Sequence, residues 1–249
     1  MSASYAILHI IIPFRATTQP ERRGQLETLL ACFQRDLPEA RVLVVEQGCA
    51  RAFNRGALLN IGVSVARCSD IDSVCTQDVD MLPHADLIPE YTRELDPGTV
   101  RHIAGGWNRY TQPCPRKSVG GIQRNFLGGV VMLKHEHFRA VNGYPNDFWG
   151  WGGEDDELRD RLVLHGLEVE TSAGGITDLE NNGSGLTRNQ KLKYLKKTKQ
   201  RCPNKKELRR WHRTHPSEQG LAQVQWQVMD TLEYYPNCTQ YTVNIVEPC

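Results

Sequence analysis

Ala6-Ile7-Leu8-His9-Ile10-Ile11-Ile12-Pro13-Phe14-Arg15 is an isoleucine-rich apolar run, broken by one histidine and stopped by a proline. Apolar residues without polar alternation predict a strand over residues 6–12 that is buried on both faces, the habit of a parallel sheet covered by helices. The run is far short of the ~20 residues that span a bilayer. No basic segment precedes it, so neither a membrane span nor a signal peptide is expected. Working outward, Leu26, Leu29, Leu30, Phe33 and Leu37 form the stripe of an amphipathic helix that Pro38 ends. Val42-Leu43-Val44-Val45 marks a second buried strand over 41–46. Ala57, Leu58, Ile61 and Val65 mark a second helix, and 71–76 reads as a third strand. Strand, helix, strand, helix, strand is the opening of an α/β fold.

In such a sheet the ligand site lies beyond the carboxyl ends of the strands. Pro13-Phe14-Arg15, the segment 47–55 and Asp78-Val79-Asp80 all fall there. Further on, 105–123 is rich in glycine, proline and polar residues and reads as a loop. A strand is expected over 126–133 with Gly128-Gly129 inside it, a helix over 154–165 closed by Gly166, and late strands over 223–228 and 241–246. There is no internal repeat.

The composition is that of an ordinary globular chain: 249 residues, 39% hydrophobic and 24% charged. The net charge of +1 hides an asymmetry. Residues 188–213 hold twelve Lys/Arg against Glu207 alone; removing them leaves 18 basic against 28 acidic residues, about −10. A basic arm on an acidic body is either a solvated helix face or a surface for a phosphate-bearing or polyanionic partner. The eight cysteines show no CxxC pair, which argues against a zinc module and leaves the redox compartment open. Asn182-Gly183-Ser184 and Asn237-Cys238-Thr239 are formal glycosylation sequons.

Two constellations carry chemistry. Asp78-Val79-Asp80 puts two carboxylates at a strand end, where a hard divalent cation can bridge protein oxygens to a substrate phosphate. The second is Phe148-Trp149-Gly150-Trp151-Gly152-Gly153-Glu154-Asp155-Asp156-Glu157-Leu158. Four acids opening a helix favour its N-terminal dipole. Trp151, Asp155, Leu158 and Leu162 fall at i, i+4, i+7 and i+11, which places Asp155 on the inward stripe and Asp156, Glu157, Arg159 and Asp160 elsewhere. An inward carboxylate fits a general base for a sugar hydroxyl. The glycines around Trp151 fit a closing loop that excludes water.

These motifs, with Phe53-Asn54-Arg55 and Leu58-Leu59-Asn60-Ile61-Gly62, occur in the order and spacing of the β-1,4-galactosyltransferase family, which this chain resembles over nearly its whole length. The resemblance implies a single GT-A domain over 1–249, a Rossmann-like nucleotide-sugar-binding sheet flanked by helices. Residues 1–104 would be the donor half and 105–249 the acceptor and catalytic half. It implies an inverting, metal-dependent transfer of galactose from UDP-galactose to a sugar hydroxyl of a glycan or glycoconjugate, with Mn²⁺ or else Mg²⁺. By position, Pro13, Phe14, Arg15, Phe53, Asn54, Arg55, Asp78, Val79, Asp80, Phe126 and Trp151 would bind the donor. Trp151, Gly153, Glu154, Asp155 and Asp156 would line the acceptor site, with Asp155 as base and Asp80 on the metal. Neither a nucleic acid partner nor a membrane span in this chain is expected. The family's members are Golgi proteins with an anchor and a stem, so the reading is a Golgi-luminal trimmed domain or an unanchored cytoplasmic chain.

Two departures bear on this resemblance. The family completes its metal site with a histidine soon after the acidic helix, and none occurs here between His165 and His212; Asp178 and Glu180 are the local substitutes. Phe126 stands where the family has a tyrosine before the Gly-Gly pair. Its bulk favours galactose and leaves N-acetylgalactosamine open. The rival readings are a UDP-N-acetylgalactosamine transferase of chondroitin-synthase type and a non-catalytic sugar-binding relative. Gly152-Gly153 resembles members that use N-acetylglucosamine, whereas xylose-acceptor members tend to have arginine at the second position.

Overall fold

The computed structural model describes residues 6–17, 20–106, 117–119, 122–124, 127–180 and 188–246. In chain order the elements are β1 (Leu8–Phe14), α1 (Glu21–Asp36), β2 (Arg41–Gln47), α2 (Arg55–Ala66), β3 (Ser73–Gln77), β4 (Met81–Pro83), α3 (Pro89–Thr92), β5 (Thr99–His102), β6 (Lys117–Val119) and β7 (Ile122–Arg124). Then follow β8 (Val130–Lys134), α4 (His135–Ala140), α5 (Glu154–Leu164), β9 (Glu168–Thr171), β10 (Ile176–Asp178), α6 (Arg188–Lys197), α7 (Lys205–His212), β11 (Gln225–Tyr235) and β12 (Cys238–Val246). Eight strands form one sheet in the order β11-β12-β2-β1-β3-β8-β5-β9. β1 runs parallel to β2 and β3, as the opening alternation requires. β8 enters antiparallel between β3 and β5, so the sheet is mixed.

The opening run behaves as its composition demands. Ile10, Ile12 and Phe14 pack with Leu26, Leu29 and Phe33 of α1 on one face. Ile11, between them, packs with Leu58 and Ile61 of α2 and Leu158 and Leu162 of α5 on the other. Successive side chains of a strand point to opposite faces, so a strand covered on both sides has no polar position to spare. Gly128-Gly129 lies just before β8, not inside a strand as expected. Gly129 has φ +81°, and a Cβ there would run into the Met81 sulfur. Its carbonyl accepts the Asp78 amide at 2.9 Å, so the pair shapes the turn beside β3.

One fully buried cation anchors the far edge. Arg101 on β5 donates to Glu170 at 2.5 Å and to the carbonyls of Glu90, Arg93 and Glu94 at 2.7–2.9 Å. Replacing it strands three carbonyls and leaves Glu170 to Arg93 alone among the described residues. Arg101→Met is expected to cost about 3–5 kcal/mol in denaturant unfolding, the range for breaking a buried ionic network. A loss under about 1 kcal/mol, typical of surface pairs, would show that water replaces the guanidinium there.

Candidate functional site

The three strand-end segments converge. At the end of β2, Gln47 is buried and staples its own loop, donating to the carbonyls of Cys49, Arg51 and Ala52 at 3.1–3.3 Å and accepting the Asn54 amide at 2.8 Å. Arg15 donates to the Arg51 carbonyl at 2.5 Å and lies 5.5 Å from the Phe53 ring centre. Asn54 is fully buried and both ends of its amide are used. It accepts the Ala57 amide as the N-cap of α2 and donates to the Asn146 carbonyl at 2.7 Å. Its side chain therefore positions the site and does not line it, contrary to the donor role expected of it. The Phe14 and Val79 side chains are likewise core.

Arg55, first residue of α2, ties the two constellations together. Its Nε donates to Asp78 at 2.6 Å and its Nη1 to Asp155 at 2.7 Å. Its Nη2 is buried without a hydrogen-bond partner among the described residues. Burial works against its charge, but Asp155 and then Asp78 outweigh that and hold it well above its ordinary pKa. Burial lifts the Asp155 carboxyl well above its usual range. Arg55 pulls it back, and Glu154 and Asp78 push it up again. Glu154 is buried, is raised in pKa chiefly by that burial, and its Oε2 has no partner.

The inward stripe needs correction. Asp155 is partly exposed, whereas Glu154, Glu157 and Arg159 are more deeply buried and Trp151 is 42% exposed. What distinguishes Asp155 is its partner. Asp156 faces Lys205 at 3.2 Å and Arg209 at 3.3 Å, which outweigh its burial and lower its pKa. Among the described residues, Asp155 is ion-paired with the buried Arg55 that also holds Asp78. Helical periodicity located the face; the charge pairing separates two neighbouring carboxylates.

The loop before α5 is held at both ends. Asn60 accepts the Tyr144 amide and donates to the Tyr144 carbonyl and to Asn146, while Gly150 donates to the Phe53 carbonyl at 2.8 Å. Trp151 is paired through its backbone with the α6–α7 connection, donating to Gln200 and accepting from Cys202. Gly153 has φ +121°, and a Cβ would strike the Phe148 ring, so an arginine at this position would be strained in this loop.

β10 pairs with β4 and sets Asp178 opposite Met81, the neighbour of Asp80, but the carboxylates of Asp80, Asp178 and Glu180 do not all lie within 4.8 Å of one another. The Leu179 amide donates to the Asp80 carbonyl at 2.8 Å. Arg22 of α1 stands between two of the three, 3.2 Å from Asp80 and 3.5 Å from Glu180. Burial opposes its charge, and Asp80 and Glu180 outweigh it to raise its pKa. Among the described residues, the group whose ligand atoms lie within 4.8 Å of one another is His9, Cys68 and Asp72. It sits at the start of β1 and before β3, the opposite end of the sheet from Asp80. His212 is excluded as a distant ligand: it is buried, stacked on Phe148, and paired with Asp147 at 2.9 Å. Phe126 lies outside the described residues.

Arg22 was missed in the sequence, although a signal was present. An Arg22-Arg23 pair in the first turn of a helix opposes the dipole there. Such local conflict marks a charge held for something outside the helix. The role of Asn60 and Asn146 as staples had no such signal, because their partners are 84–92 residues away.

A family model described as the N-terminal region of glycosyl transferase group 7 matches residues 3–91, and one described as the N-terminal domain of galactosyltransferase matches 121–181. β-1,4-Galactosyltransferase 7 of Drosophila melanogaster is 32% identical over 250 residues, covering 99% of this chain and 71% of its own. β-1,4-Galactosyltransferase 1 of Homo sapiens is 31% identical over 243 residues, covering 96% of this chain, which spans 55% of the human protein. Among solved structures, the catalytic domain of Drosophila β-1,4-galactosyltransferase 7 in complex with xylobiose superposes with a TM-score of 0.68 at 24% identity, covering 98% of this chain and 96% of that one. A mutant of that protein in complex with manganese, UDP-Gal and xylobiose gives 0.68 at 23% identity. The architecture is therefore the GT-A glycosyltransferase fold, and by sequence the chain belongs to the β-1,4-galactosyltransferase family.

Proposed function

We propose that this chain transfers galactose from UDP-galactose, with inversion, to a sugar hydroxyl of a glycan or glycoconjugate. The observation that carries this reading is the Asp78–Arg55–Asp155 bridge, with two buried polar atoms, Arg55 Nη2 and Glu154 Oε2, that have no partner among the described residues. A buried donor and acceptor left open cost stability unless a ligand satisfies them. An anionic donor fits the first, and an acceptor hydroxyl fits the second. Family membership supplies the reaction class.

In this reading residues 1–249 are one domain, the donor half (1–104) and the acceptor half (105–249) sharing the eight-stranded sheet. Pro13, Phe14, Arg15, Phe53, Arg55, Asp78 and Val79 hold the donor. Trp151, Gly153 and Glu154 hold the acceptor, with Asp156 ordering the start of α5. Asp155 takes the proton of the acceptor hydroxyl as its oxygen attacks the anomeric carbon, and the carbon–oxygen bond to UDP breaks on the opposite face. Asp80, Asp178 and Glu180 are an all-oxygen set fitting Mn²⁺ or Mg²⁺, and Arg22 already places positive charge between two of them. A cation held there would supply the charge that neutralises the leaving diphosphate. Its entry requires Arg22 to turn aside.

The experiment is an acceptor array with UDP-galactose and Mn²⁺, including N-acetylglucosaminides and xylosides, repeated with UDP-N-acetylgalactosamine. No transfer and no metal-dependent UDP release on any acceptor would sink the enzyme reading. Preference for the N-acetylated donor would move it to the chondroitin-synthase type.

The pH profile offers a second check. A base must be deprotonated, so kcat/KM should fall with acidification through a pKa well above the ordinary carboxylate range. Removing the adjacent cation disfavours the charged carboxylate further. Arg55→Met is therefore expected to shift the acid limb to higher pH, while Arg55→Lys keeps more of it in place. A limb unmoved in the methionine variant would show that Asp155 is not the titrating base.

A further inference from the structure

The basic arm noted in the sequence lies against the acceptor loop. Trp151 is bonded through its backbone to Gln200 and Cys202, and Lys205 reaches Asp156 at 3.2 Å. The arm's charges divide into two groups. Lys205 and Arg209 are spent on Asp156 and Asp160 at the start of α5. Lys193, Lys196, Lys197, Lys199, Arg201 and Lys206 are exposed and have no ion pair among the described residues. Lys193, Lys196 and Lys197 lie at i, i+3 and i+4 on α6, where like charges repel and destabilise the helix. A solvated face would carry alternating signs; this one carries a single sign on the helix that runs into the connection paired with Trp151.

We propose that this surface makes the acceptor specific: it binds an anionic group, a phosphate, sulfate or carboxylate, carried by the acceptor glycan next to the sugar that receives the transfer. The proposal rests on the transferase reading above and adds to it the charge of the substrate. The acidic loop alone, with Glu154, Asp155 and Asp156, would repel such a group. The arm supplies the compensating field, which acts over about 8 Å at physiological ionic strength.

The test uses matched acceptors. β-N-acetylglucosaminides and β-xylosides are each made with a neutral aglycone and with a phosphate-bearing aglycone of equal length. Wild type should use the phosphate-bearing member of the accepted pair with kcat/KM about three- to tenfold higher at low salt, as a few exposed charges allow, and the advantage should shrink as salt is added. The triple variant Lys193→Ala/Lys196→Ala/Lys197→Ala, changed on an exposed face, should lose that advantage and keep its rate on the neutral acceptor. Equal use of both members by wild type, or an advantage that survives in the triple variant, overturns the proposal while leaving the transferase intact. If neither glycoside receives galactose, calorimetry separates the two ideas. Tighter binding of the phosphate-bearing glycoside by wild type only would uphold the surface and leave the receiving sugar to the wider acceptor array, and equal binding would overturn the proposal. Cosedimentation with phosphatidylserine vesicles that depends on the three lysines, without discrimination between acceptors, would assign the surface to a membrane and overturn the proposal.

Discussion

Asp155→Asn is expected to lower kcat for galactose transfer by about 10²–10⁴, the usual cost of removing a general base, while UDP-galactose still binds. Asparagine keeps an oxygen for the 2.7 Å contact with Arg55 Nη1 and loses only the proton-accepting charge. Arg55 then remains beside Asp78, so the donor side changes little. Asp156→Asn is the informative companion. That carboxylate is engaged with Lys205 and Arg209 and should mainly loosen the start of α5, with a modest effect on turnover. Initial rates and donor calorimetry on both variants decide it. A dead Asp156→Asn beside an active Asp155→Asn would mean that the neighbouring carboxylate is the base.

For Asp80→Ala we expect Mn²⁺-dependent UDP binding to disappear, and for Asp178→Ala and Glu180→Ala to weaken it. A hard cation needs several oxygen ligands, and one aspartate with only substrate and water around it holds a cation poorly. The alanine also removes one of the two carboxylates around Arg22, leaving the guanidinium to Glu180. Titrating UDP in the presence and absence of Mn²⁺ reads the effect directly. Unchanged affinity in both the Asp178 and Glu180 variants would remove β10 from the metal site. The buried His212 would be no replacement, because its ring is stacked on Phe148 and bonded to Asp147.

The alternating core of the first half was open to sequence reading because it depends on local periodicity. Ile10, Ile11 and Ile12 announce a strand covered on both faces, and Leu26, Leu29 and Phe33 announce the helix that covers one of them. The ordering of Pro13-Phe14-Arg15, the segment 47–55 and Asp78-Val79-Asp80 along the chain likewise pointed to one end of a sheet, because parallel strands bring their carboxyl ends together. The antiparallel entry of β8 was not legible. An apolar run bounded by turns reads the same in either direction, and only its register with β3 settles the matter.

Within the site, residue types were legible and partnerships were not. Sequence spacing named both Asp155 and Asp156, but a charge's protonation state follows from what lies within a few ångströms, and those neighbours come from α2 for one and from α7 for the other. Asn54 looked like a ligand-binding residue because it sits between Phe53 and Arg55; folding spends its amide on the cap of α2 and on Asn146. Arg22 carried no assignment in the sequence, and folding carries it to Asp80 and Glu180. Apolar periodicity and motif order thus sufficed for the architecture and the family, since each acts along the chain. The different partners of Asp155 and Asp156, the staples of the loop and the cation between Asp80 and Glu180 are set by pairs up to about a hundred residues or more apart, whose energies exist only once the sheet has brought them together.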